Sequence, residues 1–306
     1  MSKLAVVFPG QGSQYAGMGK DLYEHNSVAR ELFDKGDAVL GFPLSRLCFE
    51  GPEEELKQTE NTQPAIFLHS MALVHLMEKK TAAMTAGHSL GEYSACVFAG
   101  AMTFENGLKL VRLRGELMQR AGEEQRGTMA AIVGLDPKVV GEICCKAWTV
   151  GVVQCANYNS PGQVVISGSV EGVQKAMELA KARGAKMVKE LVVSGAFHSP
   201  LMQSAGEGLR KALEATPIRD ARIPIYSNVT AGPVQKAKEI QECLEQQLTS
   251  PVRWVESVEQ MISAGTTVFL EVGPRKVLQG LITRINASVQ TASVDKFEDV
   301  EKLAVA

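Results

Sequence analysis

Met129-Ala130-Ala131-Ile132-Val133 opens the stretch on which the fold turns. These residues read as a buried strand, and a regular rhythm follows them. Pro137 to Lys146 has helical periodicity. Val152 to Ala156 and Gln163 to Ser167 read as strands, Val170 to Arg183 as a helix, and Lys186 to Val193 as a strand. Asn159-Ser160-Pro161-Gly162 supplies the turn between the two middle strands. The order β-α-β-β-α-β, about seventy residues long, is that of a ferredoxin-like unit, complete in itself.

Outward from this unit, strands and helices alternate on both sides. Upstream, Leu4 to Phe8 is a short apolar strand ending at Pro9-Gly10, and a nearly all-apolar helix opens at Thr62-Gln63-Pro64. A small-residue strand from Ala83 to Ala86 leads into a helix from near Ser89 to about Gly100, and Thr103 caps a long helix to about Ala121. Downstream, a helix starts near Ser199, a strand covers Ile223 to Ser227, and helices occupy Gln235 to Leu248 and Arg253 to Ala264. Thr267 to Val272, Lys276 to Ile285 and a short strand near Val289 complete the pattern. The expected fold class is α/β, a large sheet domain (1–125 and 198–306) interrupted by a small ferredoxin-like α+β domain (126–197).

Composition bounds the function. With 306 residues and 45% hydrophobic content, the chain can fill packed cores, and disorder is excluded. A net charge of −2 without Lys/Arg blocks argues against nucleic acid as a partner. No apolar run approaches the ~18 residues of a membrane span, and Met1 to Phe8 does not resemble a signal peptide. A cytoplasmic protein that uses no membrane is expected. Cys48, Cys96, Cys144, Cys145, Cys155 and Cys243 form no CxxC framework and are expected to be reduced packing residues. His69 and His75 are six apart and no HExxH occurs, so no metal is expected.

Gly87-His88-Ser89-Leu90-Gly91 matches GxSxG between a strand and a helix, the context of a nucleophile elbow, and this makes the large sheet α/β-hydrolase-like in expectation. The plainer alternative is a glycine-bounded serine at a helix cap. Of the histidines, His198 alone lies in a strand-to-helix loop, Ser194-Gly195-Ala196-Phe197-His198-Ser199-Pro200, where the chain returns to the large domain. Alone it is either a packed histidine or a base; beside Ser89 it is the best base available. No carboxylate stands out to orient it, so a carbonyl or amide oxygen is expected there. Pro9-Gly10-Gln11-Gly12-Ser13-Gln14 fails as a dinucleotide fingerprint, because the third glycine position is Tyr15. Such a loop either is an ordinary turn or presents a backbone N–H that, with that of Leu90, forms an oxyanion hole.

On the long helix, Gly107, Leu110, Val111, Arg114, Leu117, Met118 and Ala121 share one face, while Glu105, Lys109, Arg112, Glu116 and Gln119 face away. Arg112 reads as a solvated charge. Arg114 points with the apolar stripe and must find an anion, either an internal Asp or Glu or a carboxylate on the substrate.

Phe8 to Gln14, Asn61-Thr62-Gln63-Pro64-Ala65, Gly87 to Tyr93, Arg112-Leu113-Arg114-Gly115, Asn157 to Gln163, Phe197-His198-Ser199 and Glu271-Val272-Gly273-Pro274 occur in order. Together they resemble the signatures of malonyl-CoA:acyl carrier protein transacylases over nearly the whole chain, the tail after about Ser293 being less similar. The resemblance implies a two-step transfer: Ser89 takes malonyl from malonyl-CoA with His198 as base, and the phosphopantetheine thiol of holo acyl carrier protein then receives it. It maps Gln11 and Leu90 onto the oxyanion donors, Arg114 onto the malonate-binding arginine and Gln247 onto the residue whose carbonyl orients the histidine. Gln63, Asn159 and Phe197 fall at substrate-contacting positions, Phe197 being the malonyl-selective version. No cofactor is implied, and a monomer is expected. A polyketide-serving acyltransferase shares these motifs, and a serine esterase or thioesterase would share the Ser–His chemistry.

Overall fold

Lys3-Leu4-Ala5-Val6-Val7-Phe8 is apolar on both faces because both faces are covered. In the computed structural model, which describes residues 3–77 and 82–305, Val6 and Phe8 enter one core and Ala5 and Val7 another. Along the chain run β1 (Lys3–Phe8), α1 (Lys20–His25), α2 (Ser27–Leu40), α3 (Leu44–Glu50), α4 (Glu53–Leu56), α5 (Thr59–Leu76), β2 (Met84–Gly87), α6 (Gly91–Phe98) and α7 (Phe104–Glu124). Then come β3 (Gly127–Val133), α8 (Pro137–Ala147), β4 (Val153–Ser160), β5 (Gln163–Ser169), α9 (Val170–Ala182) and β6 (Met187–Glu190). The remainder is α10 (Gln203–Ala215), β7 (Ile225–Tyr226), β8 (Pro233–Val234), α11 (Ala237–Gln246), α12 (Trp254–Ser263), β9 (Thr266–Val272), α13 (Val277–Ile285), β10 (Gln290–Val294) and α14 (Phe297–Val305).

Two sheets result. The first has the order β10-β9-β1-β2-β7-β8, parallel except for β8. The second, β4-β5-β3-β6, is antiparallel throughout. Alternation along its strands divides the labour: Ala130, Ile132, Val164 and Ile166 pack with α8 and α9, whereas Met129, Ala131 and Val165 join the core of the first sheet. Val252, whose side chain lies in the core shared by Ala5 and Val7, is hydrogen-bonded to β4 of the second sheet. Its N–H donates to the Ala156 carbonyl at 2.8 Å, and its carbonyl accepts from Tyr158 at 2.9 Å.

Helix α5 begins at Thr59, three residues ahead of the sequence-based start, so Pro64 lies inside it. Proline has no N–H, and the Glu60 carbonyl four residues earlier is left without its helical donor. Arg112 on α7 fills that gap, donating from Nη1 to the Glu60 carbonyl at 2.9 Å and to Asn61 Oδ1 at 2.8 Å. Arg112 is therefore a clamp between α5 and α7 and not a solvated charge. A similar economy explains the Glu271 motif. Its buried carboxylate accepts three N–H groups at the start of α13, from Val277, Leu278 and Gln279, at 2.8–3.0 Å.

Other differences are local. The strand expected over Lys186 to Val193 ends at Glu190, and that over Ile223 to Ser227 shrinks to two residues. The helix expected from Ser199 begins at Gln203, after a 3-10 turn at Pro200–Met202. Helices α1, α3 and α4 and strand β8 are too short to show a period in the sequence. Helices α2 and α14 were not anticipated either, although α2 does carry a period: Ala29, Leu32, Phe33 and Gly36 are buried along one face behind the Asn26 cap. Cys145 is exposed and so is not a packing residue; the other five cysteines are buried.

Candidate active site

The C-terminal end of β2 sets the geometry. Between β2 and α6 the chain turns so tightly that a Cβ on Gly87 would lie 1.9 Å from the Gly91 carbonyl carbon, and one on Gly91 would lie 2.1 Å from the Phe8 oxygen. Neither position admits a side chain. Ser89, at the apex, has φ +51, a left-handed conformation that costs a non-glycine residue about 1–2 kcal/mol. Two amides hold it there. Its N–H donates to Asn228 Oδ1 at 2.7 Å, and its carbonyl accepts from Gln247 Nε2 at 2.9 Å.

His198 meets this serine from the far side, with 2.8 Å between its Nε2 and Ser89 Oγ. Its Nδ1 lies 2.8 Å from the Gln247 carbonyl and 3.2 Å from the Ser250 carbonyl, both acceptors only. Nδ1 therefore carries the proton, and Nε2 is left with a lone pair for the serine hydroxyl. Gln154 Nε2 fixes the backbone by donating to the His198 carbonyl at 2.8 Å. Burial, and then the nearby Arg114 cation, lower the His198 pKa to about 3, so the ring is a neutral base at physiological pH.

Arg114 is 1% exposed. Its Nη1 donates to Gln63 Oε1 at 2.6 Å, and its Nη2 donates to Gln247 Oε1 at 2.8 Å and Ser89 Oγ at 3.1 Å. The guanidinium lies 5.6 Å from the Tyr93 ring centroid. Among the described residues, none of these hydrogen bonds goes to a carboxylate. Of the two partners that helix geometry leaves open, the internal one is not seen: no described Asp or Glu pairs directly with Arg114.

The serine, histidine and arginine open onto a cavity of about 180 Å³ also lined by Gln11, Gln63, Leu90, Met118, Asn157, Asn159 and Phe197. The Gln11 and Leu90 backbone N–H groups go to no other backbone carbonyl among the described residues. Leu90 stands at the start of α6, where helical N–H groups lack internal partners. Asn159 is on the rim, its Oδ1 2.8 Å from His88 Nε2. His88 itself turns away from Ser89 toward Trp254. Gln247 does more than orient the histidine, since its side chain also reaches Ser89 and Arg114. Sequence reasoning missed that side chain, along with Glu92, Asn228 and Gln154. Only Glu92 had a signal, as a lone acid in a helix of otherwise small and apolar residues. Among the described residues, no group of three or more His, Cys, Asp or Glu could hold a metal ion.

The acyl transferase domain family model matches residues 5–300. A malonyl CoA-acyl carrier protein transacylase of Bacillus subtilis (strain 168) is 48% identical over 304 residues, 98% of this chain and 96% of that protein. This chain belongs to that transacylase family. An acyl carrier protein S-malonyltransferase from Vibrio cholerae O1 biovar eltor str. N16961, known from a crystal structure, superposes with a TM-score of 0.95 at 42% identity, covering 100% of both chains. A malonyl-transacylase solved in complex with a holo type II polyketide synthase acyl-carrier protein also gives 0.95, at 41% identity over 99% of each chain.

The depressed His198 pKa yields a titration test. An unfolded histidine takes up its proton near pH 6.5, whereas the folded ring resists to about 3. The stabilisation is thus complete above about 6.5 and is lost as pH falls toward 3. NMR of ring-labelled protein is expected to show His198 as the neutral Nδ1–H tautomer from pH 8 down to 5. Protonation near pH 6.5 in the folded state would contradict the assignment.

Proposed function

We propose that this transacylase moves malonyl from malonyl-CoA to the phosphopantetheine thiol of holo acyl carrier protein, in fatty acid synthesis, through a malonyl ester on Ser89. The observation that carries the substrate choice is the buried Arg114, held by neutral partners 3.1 Å from Ser89 Oγ. A malonyl group brings a carboxylate, and the guanidinium offers it a bidentate seat. Gln63, Phe197 and Asn159 shape the cavity around the acyl group and its rim.

In the first half-reaction, Ser89 Oγ attacks the thioester carbonyl while His198 Nε2 takes its proton. The Gln11 and Leu90 N–H groups receive the negative charge on the tetrahedral oxygen, and CoA leaves as the thiol with the proton returned from His198. The second half-reaction repeats these steps with the carrier thiol as nucleophile, regenerating Ser89. The Gln247 carbonyl stabilises the imidazolium formed in each half without an acidic third member. Nothing in these steps calls for a cofactor or metal. A serine hydrolase would run the same first half and use water in the second; the family membership favours the carrier thiol.

We also infer that the chain divides into an α/β-hydrolase-like unit (1–125 and 198–306) and a ferredoxin-like unit (126–197), with the cavity between them. The support is the parallel first sheet, the β-α-β-β-α-β order of the second, and cavity residues drawn from both segments. No helix among the described residues is long and apolar enough to cross a membrane. The proposed setting is a monomer in the cytoplasm, acting without membrane or nucleic acid.

Two outcomes test this reading. Malonyl-CoA alone is expected to leave one malonyl group on Ser89 by mass spectrometry, which holo carrier protein then removes; Ser89→Ala removes both adduct and transfer. An adduct on a cysteine, or discharge to water as fast as to the carrier, would overturn it. Arg114→Ala is expected to lower kcat/KM for malonyl-CoA by roughly 30-fold to several thousand-fold, from about 2–5 kcal/mol of lost charge-assisted pairing, while sparing acetyl-CoA. Equal losses for both substrates with a lowered Tm would remove the carboxylate-binding role.

A further inference from the structure

Glu92 lies one turn beyond Ser89, is 1% exposed, and does not line the cavity. Its Oε2 accepts from Gln247 Nε2 at 2.6 Å and from the Asn228 backbone N–H at 3.3 Å. These two residues hold Ser89 from opposite ends: Asn228 Oδ1 takes its N–H, and Gln247 Nε2 gives to its carbonyl. Asn228 Nδ2 also donates to the Gly87 carbonyl at 2.6 Å, fixing the strand side of the elbow. One carboxylate oxygen is thus the common acceptor behind both clamps.

It also decides which way the Gln247 amide points. A carboxylate can only accept, so it selects the NH2 end of the amide. The Oε1 end is then turned to Arg114 Nη2, 2.8 Å away. The reversed amide would set its NH2 against the guanidinium and leave Glu92 facing an oxygen. Through Gln247, the buried cation is compensated at one remove while its own face stays open.

We propose that Glu92 is a positioning residue for the transacylation, fixing the strained Ser89 backbone and the Gln247–Arg114 contact through Gln247 and Asn228 without touching substrate. The inference rests on Ser89 being the nucleophile. Burial raises the Glu92 pKa to about 7, against the lowering pull of its hydrogen bonds and of Arg114. The other groups acting with it are Arg114 on α7, Tyr93 and Cys96 on α6, and Cys243 on α11, with neutral Ser227 and Asn228 following β7. The phenol and both thiols are pushed up and stay neutral, and His198 is already neutral, so Glu92 is the member that titrates near neutrality. Protonation weakens it as an acceptor, since a charge-assisted hydrogen bond is about twice as strong as a neutral one.

The test is the single-turnover rate of Ser89 malonylation, read by intact-protein mass spectrometry from pH 5.5 to 8.5. Wild type is expected to speed up by about three- to tenfold as pH rises through about 7. Glu92→Gln, isosteric with the protonated acid, is expected to stay flat near wild type's low-pH rate. Glu92→Ala, which releases both clamps, is expected to fall at least about 100-fold. A wild type and Glu92→Gln sharing one pH profile, or Glu92→Ala within about threefold of wild type, would overturn the proposal. If Glu92→Ala does not fold, Glu92→Gln decides alone. A wild type without any Ser89 adduct would instead fail the nucleophile reading.

Discussion

A guanidinium buried to 1% exposure with neutral hydrogen-bond partners is the constraint around which the site is arranged. Burying such a charge is costly unless polar groups surround it. Two glutamines and the serine hydroxyl supply those groups, and each amide is held at its far end. Gln63 Nε2 points at Met118 Sδ, 3.2 Å away, and Gln247 Nε2 at Glu92. The neutral lining gives the guanidinium hydrogen bonds without setting a counter-charge directly against it. An internal Asp or Glu in direct contact would have compensated the charge more fully and closed the seat.

The fold delivers these groups from distant parts of the chain. Ser89 sits at the end of β2, Gln11 follows the adjacent β1, and Asn228 follows β7, so the loops at the carboxyl ends of three neighbouring parallel strands converge. Arg114 arrives on α7 and Gln63 on α5, two helices pinned together by Arg112 at the carbonyl that Pro64 frees. The second sheet contributes Asn157 and Asn159 on the rim and, through Gln154, a brace on the His198 backbone. Positioning the chemistry thus depends on both sheets.

Much of this was legible in the sequence, for local reasons. Ser89 announced itself through glycines that only a tight turn needs, and Arg114 through a charge out of place on an apolar helical face. The insert was readable because its strands and helices each have enough residues to show a period. The partners of those residues were less legible. Gln247 and Asn228 act across separations of 158 and 139 residues from Ser89, which no local spacing encodes. Helices α1, α3 and α4 have too few residues for a period to accumulate, whereas α2 shows one at Ala29, Leu32, Phe33 and Gly36 behind the Asn26 cap that went unread. Arg112 was misread because helix geometry gives the face of a side chain and not what lies against it.

The central claim is that Arg114 is kept unpaired by acids so that a substrate carboxylate can take the place. A crystal structure of the malonyl-Ser89 enzyme tests this most directly. The account predicts both carboxylate oxygens within about 2.7–3.0 Å of Arg114 nitrogens, with Gln63 or Gln247 giving up its hold on the guanidinium. A malonyl carboxylate directed to solvent, with Arg114 still bonded to both glutamines, would contradict it.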